Sequence, residues 1–476
     1  MSGAKSVLIL PCLLAVGRAW AADGGDLRLL FTGDILLSRQ VRHEIERTKR
    51  FPWEPLAHLF HQADWVAGNL EGAVGPAEDC TPEASASPCF DIPGALVPLL
   101  AKAGFRALGT ANNHALDLGP GGRAATRQAL IQAGLRVLSF EDSPVFVTAG
   151  GRTLGVIAVS TVPSRDGSRT EIPSTALRQK LRLASGLSDM VVVFVHWGSE
   201  LLEWPDTQQR VAAAWLVRNG ADLIVGHHPH VVQAAECVAG RPVFYSLGNH
   251  LFDQKYPAAK QGLIADCRLH GAELRCGGIP TMAPPGSAFP QLSQSVDGGA
   301  TDALKACAVH LTGPGPVGEI FLRGRSIDLN GNSLYLIEGA RAGARIWRSV
   351  AMPLVSVQVG KLAGSQGPDY VLALERRRST IDGEDGLRPY VYEAGPKGLV
   401  ARWRGSALAW PLLDAALLPG PDGLLCGLHR RDSFVVLQPD SAGVRTAVYR
   451  WNGFGFSGVE ELAAVAACRA MFQAER

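Results

Sequence analysis

Between Leu27 and about Leu269 the chain alternates two kinds of apolar pattern. One is the short continuous run: "LRLLFTG", "WVAGNLE", "ALGTANN", "TLGVIAVS", "MVVVFVHWG", "DLIVGHH" and "PVFYSLGN". Several of these lack polar alternation, as strands buried on both faces do. The other is a longer segment closing on glycine: "IPGALVPLLAKAG", "GGRAATRQALIQAG" and "DTQQRVAAAWLVRNG". Glycine after a helical segment is a common C-cap, and Asp206, which opens the third, is a candidate N-cap. Strand, helix, strand, helix predicts an α/β layered domain over 27–276.

Past that point the pattern changes. Residues 277–317 are dominated by glycine and proline, as in "GGIPTMAPPG" and "GPGPVG", and predict a linker or irregular wrapping. From 318 to 476 short strand-like pieces separated by turns, such as "SLYLIEG", "YVLALERR", "PYVYEAG", "SFVVLQP" and "TAVYRWNG", predict an antiparallel all-β domain. A weak repeat runs through it: "DYVLALERRRS" parallels "DGLLCGLHRRDS", and "LVARWRGSAL" parallels "AVYRWNGFGF". Self-similarity of this kind predicts propeller-like blades or a sandwich built by duplication. Trp347, Trp403, Trp410 and Trp451 fall in this half and read chiefly as core, with glycan or protein binding as the alternative.

The first 21 residues read as a signal peptide. Lys5 is followed by "VLILPCLLAV", too short to span a bilayer, and Ala19-Trp20-Ala21 has the small-x-small form of a cleavage site. The expectation is a secreted or periplasmic chain cut near Ala21-Ala22, with an uncleaved anchor as the alternative and no later membrane span. Cys12 sits in that segment, leaving eight cysteines, an even number suited to an oxidising compartment. Cys80 with Cys89 and Cys267 with Cys276 suggest local pairs; Cys237, Cys307, Cys426 and Cys468 cannot be paired from spacing. The formal charge of +2, 46 basic against 44 acidic residues, argues against a nucleic-acid partner.

The candidate chemistry lies where the predicted strands end, the usual place for ligand sites in α/β sheets. Asp34 follows the first strand, and Asn69 and Glu71 the second. "ALGTANNHALDLG" brings Asn112, Asn113, His114 and Asp117; "VVVFVHWGSE" brings His196 and Glu200. "DLIVGHHPH" ends in His227, His228 and His230, and "VFYSLGNHLFD" in Asn249 and His250. Each has an ordinary reading as a cap, a turn former or a core histidine. Together, imidazole, carboxylate and amide oxygen suit Zn, Mn, Fe or a mixed pair of ions.

"GDILLSR", "GNLEGAV", "NNHALDLG", "HWGSE", "GHHPHVVQ" and "YSLGNHLFD" occur in the order and spacing of the CapA family, also called PgsA, of capsule and poly-γ-glutamate synthesis, which this chain resembles over about residues 27–270. The family's domain is similar to the calcineurin-like metallophosphoesterases. The resemblance therefore implies a two-sheet α/β sandwich with a dinuclear metal site. Carried over, it implies Asp34, Glu71, Asn113, His196, His228 and His230 as metal ligands. His114 and His230 are implied as proton donors, with His227 a bystander or a group orienting a ligand. Three positions depart from the pattern. Asp34 is followed by Ile35 and Leu36 where the phosphoesterases have Asp-x-His; Glu71 replaces an aspartate; His250 stands where the family usually has phenylalanine.

The expectation is an exported CapA-like protein serving synthesis or export of an extracellular polymer. Its partners would be an anionic polymer or the membrane synthase. A metal-dependent phosphoesterase or amide hydrolase, and a non-catalytic polymer- or synthase-binding scaffold, are the alternatives.

Overall fold

The computed structural model describes residues 26–459 apart from short internal stretches (77–79, 81–87, 294–299, 306, 308, 312–316, 330–331, 362–368, 379–383, 405–407, 409–410, 418–423, 426–427, 430–432, 441–442 and 452–455). The expected signal peptide, Cys12, Trp410, Cys426 and Cys468 lie outside the described residues.

All seven predicted strands form, and they divide between two sheets. In the first sheet Leu27–Ile35 is central. It pairs in parallel with Trp65–Leu70, which pairs with Ala107–Gly109, and antiparallel with Gln261–His270 on the other side. The second sheet has a parallel core of Arg152–Ser160, Met190–His196 and Leu223–His227. The last predicted strand serves both sheets: Arg241–Phe244 pairs with Leu223–His227, and Asn249–Leu251 pairs with the end of Leu27–Ile35.

The two sheets share one core, in which Phe31, Ala67 and Ala107 meet Val156, Phe194 and Val225. Phe31 and Phe194 cross edge to face, their centroids 5.8 Å apart. Such a pair adds about 0.5–1.5 kcal/mol beyond its buried area. The outer face of the first sheet carries the helices Arg39–Thr48, Pro98–Ala103 and Gly119–Gln132, which bury Val41, Leu100 and Leu130 against Leu30, Val66 and Leu108. The outer face of the second carries Thr175–Leu187 and Thr207–Arg218 through Leu177, Leu181, Trp215 and Leu216. Asp206 caps the last helix as its sequence predicts, accepting from Gln209 N while the Gln209 side chain accepts from Asp206 N. The central region is thus mixed α/β, as expected.

Part of the glycine- and proline-rich stretch continues the first sheet. Strand Glu273–Met282 runs antiparallel to Gln261–His270, and Gln291–Leu292 and Val309–His310 pair with its far edge. Beyond it the described residues build antiparallel sheets: Phe321–Leu329, Asn332–Arg341 and Ala344–Arg348; then Leu354–Lys361, Asp369–Arg378, Asp385–Gly395 and Gly398–Arg404; then Asp414–Leu417, Ser433–Asp440, Gly443–Trp451 and Phe456–Val459. Trp347 and Trp451 are buried in separate sheet cores and Trp403 packs against the second, the ordinary role their positions suggested.

Helix Thr175–Leu187 joins the two halves. Leu177 and Leu181 face the second sheet, whereas Leu183 and Leu187 pack with Leu322, Ile337, Val357 and Val371 of the strand-rich half. A Cβ on Gly186 would lie 2.2 Å from the Val357 carbonyl oxygen, so only glycine permits this approach. Arg182 pairs with buried Asp414 at 3.0 Å.

Three disulfides are present among the described residues. Cys80–Cys89 and Cys267–Cys276 are the two local pairs. Cys237–Cys307 links the edge strand Glu236–Val238 of the second sheet to the segment beside Val309–His310 on the first.

Candidate metal centre

Strand register gathers the polar residues. Asp34 stands opposite Asn69 on one side and Asn249 on the other, and His196 stands opposite His227. The two sheets meet with these C-terminal ends together, so six separate sequence segments converge on one buried cluster.

Asp34 and Glu71 are fully buried. Asn69 Nδ2 donates to Asp34 Oδ1 at 2.8 Å and lies 3.4 Å from His196 Nδ1, and Asn69 Oδ1 accepts from Asn112 at 3.0 Å. His196 Nε2 is 2.8 Å from Asn113 Oδ1 and 3.1 Å from His228 Nδ1. His230 Nδ1 is 2.9 Å from Asn249 Oδ1 and 3.3 Å from Asp34 Oδ2, and its Nε2 is 3.5 Å from Glu71 Oε1. His114 Nε2 is 3.7 Å from the same Glu71 oxygen, while its Nδ1 is 2.8 Å from Asp117 Oδ2. Neither carboxylate oxygen of Glu71 has a hydrogen-bond partner. Donor atoms of Asp34, Glu71 and His196 lie within 4.8 Å of one another, as do those of Glu200, His228 and His230.

The backbone is bent to make this arrangement. His228 and His230 take φ of 97° and 58°, the left-handed region that side chains with a Cβ seldom adopt. Each such residue costs on the order of 1–3 kcal/mol, and residues of this kind cluster at functional sites. The bend turns both imidazoles, separated only by Pro229, into the cluster.

Charge is divided unevenly. Burial holds His196 well below the ordinary imidazole value, helped by the neighbouring histidines. Burial also pushes His228 down to about 4, so both rings present neutral nitrogen. His230 goes the other way: burial alone would lower it, but Glu71 and Asp34 hold it well above the usual value. Burial raises the Glu71 carboxyl, and nearby Asp34 adds to the effect. Asp34 is lowered, the contacts to His230 overcoming the burial that would raise it.

All seven residues implied for the site, Asp34, Glu71, Asn113, His114, His196, His228 and His230, are thus brought together. His227 stands aside: its Nε2 is 3.1 Å from the Thr32 carbonyl oxygen and its ring stacks on Phe194 at 5.4 Å. His250 also lies apart, buried among Phe60 and Phe105 and accepting from Trp53 Nε1 at 3.0 Å. Leu36, at the place of the missing phosphoesterase histidine, packs with Phe90 and Phe252. Phe90 stacks on His114 at 4.0 Å and Phe252 leans on His230 at 4.7 Å.

Asn69, Asn112, Asn249 and Asp117 hold the innermost groups in place, and Glu200 reaches the paired histidines from the mouth. Their position at strand ends was visible in the sequence, but their roles were not. Asparagine at a strand end looks the same whether it turns the chain or orients a ligand.

Residues 28–254 match the family described as "Bacterial capsule synthesis protein PGA_cap". The chain is 31% identical over 275 residues to the capsule biosynthesis protein CapA of Bacillus anthracis, covering 54% of this chain and 67% of that protein. It is 29% identical over 254 residues to the PGA biosynthesis protein CapA of Bacillus subtilis (strain 168), covering 50% and 67%. The matched region contains every donor of the cluster, and the chain belongs to the CapA family of bacterial capsule synthesis proteins.

Proposed function

We propose that this chain is an extracytoplasmic protein of capsule or poly-γ-glutamate-type polymer synthesis. In this reading its strand-end cluster holds one or two divalent ions, Zn, Mn or Fe, for hydrolysis or transfer at a phosphoryl or acyl centre. The observation that carries it is Glu71, a fully buried carboxylate with neither oxygen hydrogen-bonded, beside Asp34 and two imidazoles. An ion buried in this way costs several kcal/mol unless another charge compensates it. Without metal the compensation comes from His230, held protonated by Glu71 and Asp34. A cation held by Asp34, Glu71, Asn113, His196, His228 and His230 takes its place, and imidazole with carboxylate suits the metals named. Three disulfides fit an oxidising compartment. Among the described residues no helix is long and apolar enough to cross a membrane.

When bound, a divalent ion supplies a water of low pKa and polarises the substrate oxygen. The chain's own residues do the rest. Asn69 and Asn249 orient the Asp34 carboxylate and the His230 ring. Both nitrogens of His230 already face Asp34, Asn249 and Glu71, so donation to the leaving group falls to His114. Its ring is fixed by Asp117 on one edge and Phe90 on one face. The strand-rich half, built of short antiparallel sheets, is read as propeller-type blades that engage the anionic polymer or its synthase.

The scaffold alternative draws on Leu36, which offers no donor where a phosphoesterase has histidine. The deciding experiment strips the full chain of metal, reloads it with Mn, Zn or Fe(II), and offers poly-γ-glutamate and bis(p-nitrophenyl) phosphate. Metal-dependent cleavage of either, lost in His228→Ala, is expected. Failure to take up any of the three metals overturns the reading, and uptake without turnover favours the scaffold.

A further inference from the structure

We infer that Glu200 is a ligand of the metal centre, supplying an anionic donor at a site whose first motif lacks its imidazole. This rests on the metal reading above. A carboxylate oxygen of Glu200 and one nitrogen each of His228 and His230 lie within 4.8 Å of one another.

That nearness is built into the backbone. Trp197 N donates to the His227 carbonyl oxygen at 3.1 Å, and Leu201 N donates to the Pro229 carbonyl oxygen at 2.8 Å. The loop carrying Glu200 is therefore tied at both ends to the loop carrying the histidines. The second tie joins the residue after Glu200 to the residue between His228 and His230. Gln233 Nε2 secures the loop further on, donating to the Leu202 carbonyl oxygen at 2.8 Å. The turn needs unusual backbone to get there: Gly198 has φ of 81°, with space that a Cβ would take from Gln209, and Leu201 has φ of 59°.

Charge gives the loop its purpose. Asp34 and Glu71 lie at the inner end of the cluster, already facing His230. On the side of His228 the other donors are the imidazole of His196 and the amide of Asn113. Asp34 Oδ2 also accepts from His228 N at 3.3 Å, so a divalent ion there shares the inner carboxylates, and Glu200 gives it a further one on the outward side. Leu36 donates nothing, being packed against Phe90 and Phe252. Glu200 is exposed, so it holds the outward side of the centre.

The test is calorimetric titration of the metal-stripped full-length chain with Mn2+ alone and with Zn2+ alone. Wild type is compared with Glu200→Gln, His228→Ala and Glu203→Gln. Glu203 is exposed on the same loop and controls for the loss of one negative charge. Glu200→Gln is expected to weaken binding by roughly tenfold or more, the scale on which metal sites respond to loss of a supporting group. Glu203→Gln should stay within about twofold, as screened surface charges do. Wild-type affinity in Glu200→Gln while His228→Ala is weakened overturns the role of Glu200 and leaves the centre standing. Equal weakening in Glu203→Gln also overturns it, reducing the effect to charge alone. If the folded wild type binds neither ion, the metal reading itself fails.

Discussion

His114 is locked to Asp117: the ring Nδ1 lies 2.8 Å from the carboxylate Oδ2, and both side chains are buried. Asp117 also accepts from Phe90 N at 2.7 Å and Arg165 Nε at 3.0 Å, so the carboxylate cannot swing away. The pair places a proton on Nδ1 and turns Nε2 toward Glu71. Donation from Nε2 needs the doubly protonated ring, and Asp117→Asn removes the buried carboxylate that offsets that ring's charge. If His114 is the proton donor, kcat should fall by about 10²–10⁴, the usual worth of a general acid. Metal content and KM should change little. Steady-state kinetics beside elemental analysis checks this.

Metal uptake should release a proton. In the metal-free cluster His230 is held well above the ordinary value by Glu71 and Asp34, against the burial that would lower it, and so is protonated near neutral pH. His196 and His228 are held below it and have no proton to lose. An ion can use a His230 nitrogen only once that proton leaves. Apparent affinity should therefore rise with pH, by about tenfold per unit while one proton is displaced. Calorimetry in two buffers of different ionisation enthalpy counts the protons, and a count of zero contradicts the assignment.

His250 should make the chain acid-sensitive without touching metal binding. Burial pushes it down to about 3 from an ordinary 6.5. The unfolded chain takes up this proton as pH falls through 6.5, while the folded chain does not until about 3, so stability is lost across that window. Between pH 7 and pH 5 the loss is about 2 kcal/mol. His250→Phe removes it. At pH 7 the variant leaves Trp53 Nε1 without its acceptor but also removes the unpartnered His250 Nδ1, two changes of opposite sign. Denaturant midpoints at both pH values should show the variant losing less on acidification, with unchanged metal affinity.

The Cys237–Cys307 bridge spans a separation of 70 residues and clasps the two sheets. Closing a loop of that length stabilises by about 4 kcal/mol in the chain-entropy view. A Cys237→Ala and Cys307→Ala double variant should unfold at clearly lower denaturant. Removing Cys267–Cys276, separated by 9 residues and already side by side on paired strands, should cost less.

The α/β framework was legible because its strands are continuous apolar runs, and the runs ending in Asp34, His196 and His227 appear as written. The candidate site residues also gather near strand ends, where the sequence put them. The supporting groups were not legible. Asn69 acquires meaning only when register sets it against Asp34, and Glu200 only through the tie from Leu201 to Pro229. The Cys237–Cys307 pair was hidden for the same reason, since it depends on how two sheets stack. The short repeat in the second half was only partly informative: 399–404 lies in the fourth strand of its sheet, whereas 447–451 lies in the third of the next.

Helix Thr175–Leu187 has consequences for how this chain can be taken apart. The matched family region ends at 254, and a chain cut after the first sheet would look like a natural unit. Yet Leu183, Leu187 and Phe146 are covered by strands that come after residue 320. Severed there, the family-matched half would show an oily flank and an uncompensated Arg182. In a shuffled or minimised chain these outward residues would have to be rewritten to polar ones, so the boundary between the halves runs through the middle of a helix rather than along a linker.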